Sequence, residues 1–335
     1  MKRAAPAVRY VIKHADDNEI KRFELAERIR TSELVVVAGT GVSLYSVGHP
    51  KVKNTAVAGW AGLLEHGLDY CKRHDLLGED DADVIELQLQ KGSARHLIDA
   101  AGQIHEWLDR KAGNSRYFWL KESIGQLRLH DPSLIKAIAN LGGLLAPLNY
   151  EDLCEEVTGL PALHWKQHAQ IDDHIRRQSR EFIFHVHGHW QTPESIVLDQ
   201  QSYFEIANDD GTQALMRRFA QWGILLFVGC SGTFLDPNFQ TLLRWGNAAL
   251  KEAKERHFVL CRKRDEKRLL TELQKWGMLE PLVYGDQFTE LPVFIEQLAK
   301  DSGSPTAIAN PPVAPVDTAP SGVQNPTEVW KTELQ

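Results

Sequence analysis

The stretch ELVVVAGTGVSL, residues Glu33 to Leu44, decides the fold. Its first half is a β-branched run, residues 34–38, apolar at every position. A run that does not alternate reads as a strand buried on both faces. It leads directly into Gly39-Thr40-Gly41, with Ser43 just beyond. A strand ending in a Gly-x-Gly turn lets backbone N–H groups approach a phosphate, and ligands of such sheets sit at the carboxyl ends of the strands. No third glycine completes a GxGxxG pattern, so the stretch alone is equally a nucleotide loop and a plain tight turn.

Working outward, the same signature recurs at residues 143–148, 182–186, 224–228, 257–261 and 282–284, each short, apolar and bounded by Gly, Pro or Asn. Helical patterns separate them. Residues 17–30 predict an amphipathic helix feeding the first strand, and 237–254 predict another with Asp236 as N-cap. Pro281 is expected to follow a helix that ends near Gly277. Between the first strand and Leu144 lies a long stretch without strand signal, in which 59–74, 81–90, 93–110, 115–129 and 132–139 read as helices. The expectation is an α/β fold, a doubly wound parallel sheet carrying a helical insert over about residues 55–140. An N-terminal segment and helix (1–32) precede the main domain (33–300). From Asp301 to Gln335 the chain is rich in Pro, Ala, Ser and Thr, which bury too little surface to offset ordering, so a flexible tail is expected there. Its Trp330 reads as an exposed aromatic on a loose end.

Composition narrows the function. The chain has 335 residues with 38 Lys+Arg against 45 Asp+Glu, a formal charge of −7. That balance argues against a general nucleic-acid or membrane-surface binder, which needs a basic face. No apolar run reaches the ~20 residues of a membrane span, and the basic N-terminus lacks the apolar core of a signal peptide. The four cysteines, Cys71, Cys154, Cys230 and Cys261, form no CxxC pair. They speak against a cysteine zinc ribbon and for a cytoplasmic location.

Three further segments carry chemistry. In FIFHVHGHW, His185, His187 and His189 alternate, and His187 stands before Gly188 where a strand should end. His187 suits a general base. The trio can instead be metal ligands, helped by His164 and His168, one helical turn apart in HWKQH. Structural or surface roles for His185 and His189 are the bland reading. In APLNYEDLCEE, Asn149 follows an apolar run and can orient a ribose hydroxyl or a water, or simply cap the helix that follows. Its acidic neighbours Glu151, Asp152, Glu155 and Glu156 fit a solvated first turn. In ILLFVGCSGTFLDPNF another buried run ends in Gly229-Cys230-Ser231-Gly232, repeating the logic of the first. Several strand ends with small residues and hydroxyls, plus a His and an Asn, point to one nucleotide site.

The order of segments, GTGVS, GWAGLL, LNYEDLCE, HVHG, PESIVLDQQSY, LLFVGCS with DPNF, and YGDQFTELPVFIEQL, resembles the SIR2-like family over residues 33–300. It is similar in particular to stand-alone SIR2-like NAD-consuming proteins of bacterial antiviral defence and their short animal relatives. The resemblance implies a Rossmann-like fold that binds NAD as substrate. It maps NAD contacts onto Gly39, Thr40, Gly41, Ser43, Gly229, Cys230 and Ser231, and catalytic roles onto Asn149 and His187. Sirtuin deacylases carry a four-cysteine zinc module, which this chain cannot build; the implied activity is therefore NAD hydrolysis to nicotinamide and ADP-ribose in an antiviral or stress response, with no metal expected. Pro-Leu-Asn stands where the family has Thr-Thr-Asn or Thr-Gln-Asn, and Glu151 stands where it has Asp. The alternative is an NAD-binding assembly or filament-forming protein with little turnover. Homo-oligomers and an activating partner protein accompany either reading. A metal-dependent hydrolase built on the histidines is the third reading, without an HExxH motif to support it.

Overall fold

The computed structural model describes residues 16–31, 33–47, 55–110, 113–230, 256–274 and 279–303. The expected helix at 237–254 with its cap Asp236, the site residue Ser231, and the tail beyond Gly303 with Trp330 lie outside the described residues.

Helix α1 (Asp17–Thr31) opens with Asp17 and Glu19 and closes with Arg28 and Arg30, charges that complement the helix dipole. It delivers the chain to β1 (Glu33–Ala38). Helices α2 (Thr40–Ser46), α3 (Trp60–Arg73), α4 (Glu79–Lys91), α5 (Ala94–Arg110), α6 (Ser115–Glu122) and α7 (Ser133–Ala139) follow before β2 (Leu144–Pro147). Then come α8 (Leu153–Thr158), β3 (Ala162–His164), α9 (His168–Arg176), β4 (Ile183–His185), α10 (Gln200–Ala207), α11 (Asp210–Trp222) and β5 (Gly223–Val228). The described chain ends with β6 (His257–Arg262), α12 (Glu266–Leu273), β7 (Leu279–Gly285) and α13 (Leu291–Ser302).

The seven strands form one sheet in the order β3-β4-β2-β1-β5-β6-β7. Every neighbouring pair is parallel. This is the α/β, Rossmann-like architecture the sequence predicts. β1 lies at its centre, with Val37 in register with Ala146 on one side and with Phe227 on the other. The chain winds toward β2 on one side and β5 on the other, so the strand order reverses about β1, and ligands of such sheets bind at that switch. Alternation explains the unbroken apolar run of β1. Leu34, Val36 and Ala38 enter one hydrophobic core, while Val35 and Val37 enter the core on the opposite face. Each such buried aliphatic side chain contributes about 1.5–3 kcal/mol.

Three details depart from the sequence reading. β3 is an added edge strand of three residues, in which His164 pairs in register with His185. His164 and His168 are therefore not one turn apart on a helix, because His164 ends β3 and His168 begins α9. The helix end expected near Gly277 lies outside the described residues. Pro281 sits inside β7 opposite Val259, at a sheet edge where its missing N–H costs no ladder bond. The pattern over 115–129 breaks after α6, where the Ser123 hydroxyl donates to the Trp119 carbonyl and a 3₁₀ turn, Ile124–Gln126, follows.

Candidate active site

The carboxyl ends of β1, β2 and β5 meet, and they do so through glycine. The Gly39 N–H donates to the Val228 carbonyl at 2.8 Å and the Gly41 N–H to the Gly229 carbonyl at 3.0 Å. A methyl group on Gly39 would sit 2.6 Å from Cys230 Sγ, and one on Gly41 would sit 2.7 Å from the Gly229 oxygen. Gly229 has φ +72°, a left-handed conformation that favours glycine. The two loops thus press backbone against backbone. Cys230 is fully buried beneath them. The Gly39 and Gly41 N–H groups, expected to meet a phosphate, hold the two loops together.

Above that contact a polar chain crosses from β1 to β2. Thr40 Oγ1 donates to Asn149 Oδ1 at 3.3 Å, Asn149 Nδ2 donates to Ser43 Oγ, and Ser43 Oγ donates to Glu151 Oε1. Both ends of the Asn149 amide are engaged, so its orientation is fixed. Asn149 does not cap the next helix; Asp152 occupies that position. Glu151 is not a solvated first-turn acid either, being only 8% exposed. Its burial raises its carboxyl pKa, and the Ser43 hydrogen bond opposes that shift without cancelling it. Thr40, Gly59, Trp60, Asn149 and Glu151 line one small cleft. Glu151, which the sequence reading took as a solvated first-turn acid and as a departure from the family, therefore belongs with Thr40, Ser43 and Asn149.

A second buried polar group lies just below. His185 Nδ1 faces the Asn149 carbonyl at 3.1 Å and Nε2 faces Glu155 Oε1 at 2.7 Å. His189 Nε2 lies 2.6 Å from Asp152 Oδ1, whose partner oxygen accepts from Trp190 Nε1. Burial disfavours a charged His185 ring, yet the hydrogen bond and charge of Glu155 outweigh it and raise the pKa. Burial likewise works against an ionised Asp152, but His189 and Trp190 hold its carboxyl below the usual range. Glu155 and Asp152 thus face inward to histidines, and Glu156 alone of the acidic run is exposed.

His187 points elsewhere. It follows β4, is fully buried, and its ring stands edge-on to Tyr203 with centroids 6.4 Å apart. Burial pushes its pKa down to about 3, against the favourable effect of the Leu148 backbone. Asn149 and His187 thus follow adjacent strands, and Leu148, next to Asn149, lies against His187. His168 is remote from this group, 2.8 Å from Asp209 Oδ1. The four cysteines are all buried and lie on separate elements, none of them in a disulfide among the described residues. Among the described residues no helix is long and apolar enough to cross a membrane.

The family model of the SIR2-like domain matches residues 145–279. The matched stretch runs from within β2, through Asn149, His187 and β5, to the first residue of β7. Such a domain brings with it a general NAD-linked enzymatic role, with NAD bound as substrate. Residues 145–279 thus match the SIR2-like domain over the part of the chain that carries Asn149, His187 and β5.

Proposed function

We propose that the chain is an NAD glycohydrolase, cleaving the bond between nicotinamide and ribose. The observation that carries the reading is the buried chain Thr40–Asn149–Ser43–Glu151 at the sheet's switch point, of which Asn149 and Glu151 fall in the stretch that matches the SIR2-like domain. Nicotinamide leaves as a neutral base, which makes the transition state oxocarbenium-like. A water oxygen bonds to the ribose C1′ as the C1′–N bond breaks, and the electron pair of that bond stays on the departing nitrogen. Asn149, with its amide held by Thr40 and Ser43, orients the ribose and the water. Glu151 lines the same cleft and takes the water's proton, a role suited to a carboxyl whose pKa is raised. His187, behind Leu148, sets the ribose hydroxyls. Gly39, Gly41, Gly229 and Cys230 shape the wall against which NAD lies.

The reaction would serve an antiviral or stress response in the cytoplasm, with assembly into homo-oligomers and an activating partner protein. The exposed Phe204 on α10 and Val293 on α13 are apolar surface of the kind that assembly covers. The test is nicotinamide release from NAD, followed chromatographically. Asn149→Ala and His187→Ala should each lower it about a hundredfold, the scale set by losing a positioning group, while both variants keep the wild-type circular dichroism. Full turnover in both variants would sink the assignment. Sedimentation with and without NAD tests the alternative: assembly with no ADP-ribose formed would favour an NAD-gated scaffold over an enzyme.

A further inference from the structure

One ligand atom from each of Glu155, His185 and His189 lies within 4.8 Å of the other two. We infer that these three side chains form a binding site for a divalent transition metal of the zinc class. The site is distinct from a cysteine module and from the polar chain at the cleft.

The argument begins with His185. The Asn149 carbonyl can only accept, so the proton of a neutral His185 ring sits on Nδ1 and Nε2 presents a lone pair toward Glu155. A metal-ligating imidazole is held in this way, its second nitrogen donating to a backbone carbonyl or a carboxylate. His189 repeats the arrangement with Asp152 at 2.6 Å from Nε2. The two rings approach edge to face, centroids 4.7 Å apart. Glu155 supplies the oxygen. Its Oε2 is buried and has no hydrogen-bond partner among the described residues, an acceptor that a cation would satisfy. His164, opposite His185 on β3, also buries an Nδ1 without a hydrogen-bond partner among the described residues.

Chemistry selects the ion. Two imidazoles and one carboxylate suit Zn²⁺, Co²⁺ or Ni²⁺, whereas Mg²⁺ and Ca²⁺ favour all-oxygen sites. Three protein ligands leave a fourth position for water. Sequence spacing brings the ligands to one place: Glu155 stands on the first turn of α8, and His185 and His189 bracket the end of β4 and its loop. A bound ion would tie α8 to that loop. Through the His185 Nδ1–H bond to the Asn149 carbonyl it would also fix the strand end that carries Asn149. Its role is therefore positional, and metal uptake can be measured without any NAD assay.

The test uses the full chain, stripped with a chelator and dialysed, then titrated with ZnCl₂ by calorimetry and with CoCl₂ by visible absorption. The expected result is a single saturating equivalent, a Co²⁺ band in the range of four-coordinate sites, and a raised melting temperature. Glu155→Gln, whose amide N–H can donate to His185 Nε2 but which loses the charge, and His189→Asn should each abolish the equivalent and the band. His168→Asn, a histidine outside the cluster, should retain both. Circular dichroism of Glu155→Gln confirms that loss of uptake is not loss of fold. No saturable uptake by the wild-type chain, or uptake that survives both ligand variants, would overturn the proposal. Loss or survival of NAD hydrolysis has no bearing on that outcome.

Discussion

Glu151 and Asp152 are adjacent in the chain, and they face two different environments. Glu151 turns to hydroxyls and an amide, with burial raising its pKa. Asp152 turns to His189 and Trp190, which hold its carboxyl in the ionised form. The first environment is a chain of Thr, Asn, Ser and Glu opening on a cleft. The second is a set of histidine–carboxylate pairs below it, with the rings buried and the carboxylates partly exposed. Asn149 joins the two, its amide in the first and its carbonyl in the second. The contrast separates two jobs: carboxylates paired with histidines hold the strand end in place, and a carboxyl whose pKa burial raises is suited to exchange a proton.

The sharpest way to break that division is to remove one member of a matched pair. His185→Ala would leave Glu155 facing a buried gap without its partner, and breaking such a pair costs about 3–5 kcal/mol. Urea unfolding in metal-free buffer should show a lowered midpoint with an unchanged slope. A midpoint within error of wild type would mean that the histidine pairs hold nothing. A smaller effect is expected where the cleft is held by backbone contact. Gly41→Ala places a methyl group 2.7 Å from the Gly229 oxygen and 2.9 Å from its Cα, neither of which can swing aside. Overpacking of this kind costs about 1–3 kcal/mol. The same substitution should lower nicotinamide release by displacing Thr40 and Ser43, and unaltered stability would show that the loops have room to part.

How far the sequence reveals these regions follows from the physics of each. β1 is legible because a strand between two cores needs apolar residues on both faces, and Leu34 through Ala38 supply them. Thr40, Ser43 and Asn149 are legible as strand-end polar residues, but their mutual bonds are not. Ser43 and Asn149 stand 106 residues apart, and only the parallel pairing of β1 with β2 brings them together. β3 escapes because three residues, Ala162–His164, carry no period, and HWKQH mimics a helical spacing across a strand-to-helix boundary. The acidic run after Asn149 looks like a solvated helix start because nothing local reveals the histidines 30 residues or more downstream that turn it inward. One signal was available. Asp152 at the N-cap and Glu155 three residues on stand on one side of the first turn, a spacing that lets both turn the same way.

The smallest effect expected is also the one that tests the cleft directly. Glu151→Gln preserves an acceptor for the Ser43 hydroxyl and removes the ionisable group. A carboxyl whose folded-state pKa lies above its ordinary value of 4.5 stabilises the fold relative to an ionised group only while it stays protonated. Below pH 4.5 the group is neutral in both folded and unfolded chains, so wild type and variant should differ little. As pH rises through the raised pKa, the unfolded chain gains from ionisation that burial denies the folded one, and wild-type stability falls. The variant, which has nothing to ionise there, should become progressively the more stable of the two and then hold a constant lead. Denaturation midpoints collected across that range check the sign. A lead that shrinks toward neutral pH would mean that Glu151 is stabilised as a carboxylate, like Asp152 beside it, and the two environments would be one. If the variant gains stability at neutral pH yet loses nicotinamide release, the buried carboxyl is kept for chemistry at a cost to the fold.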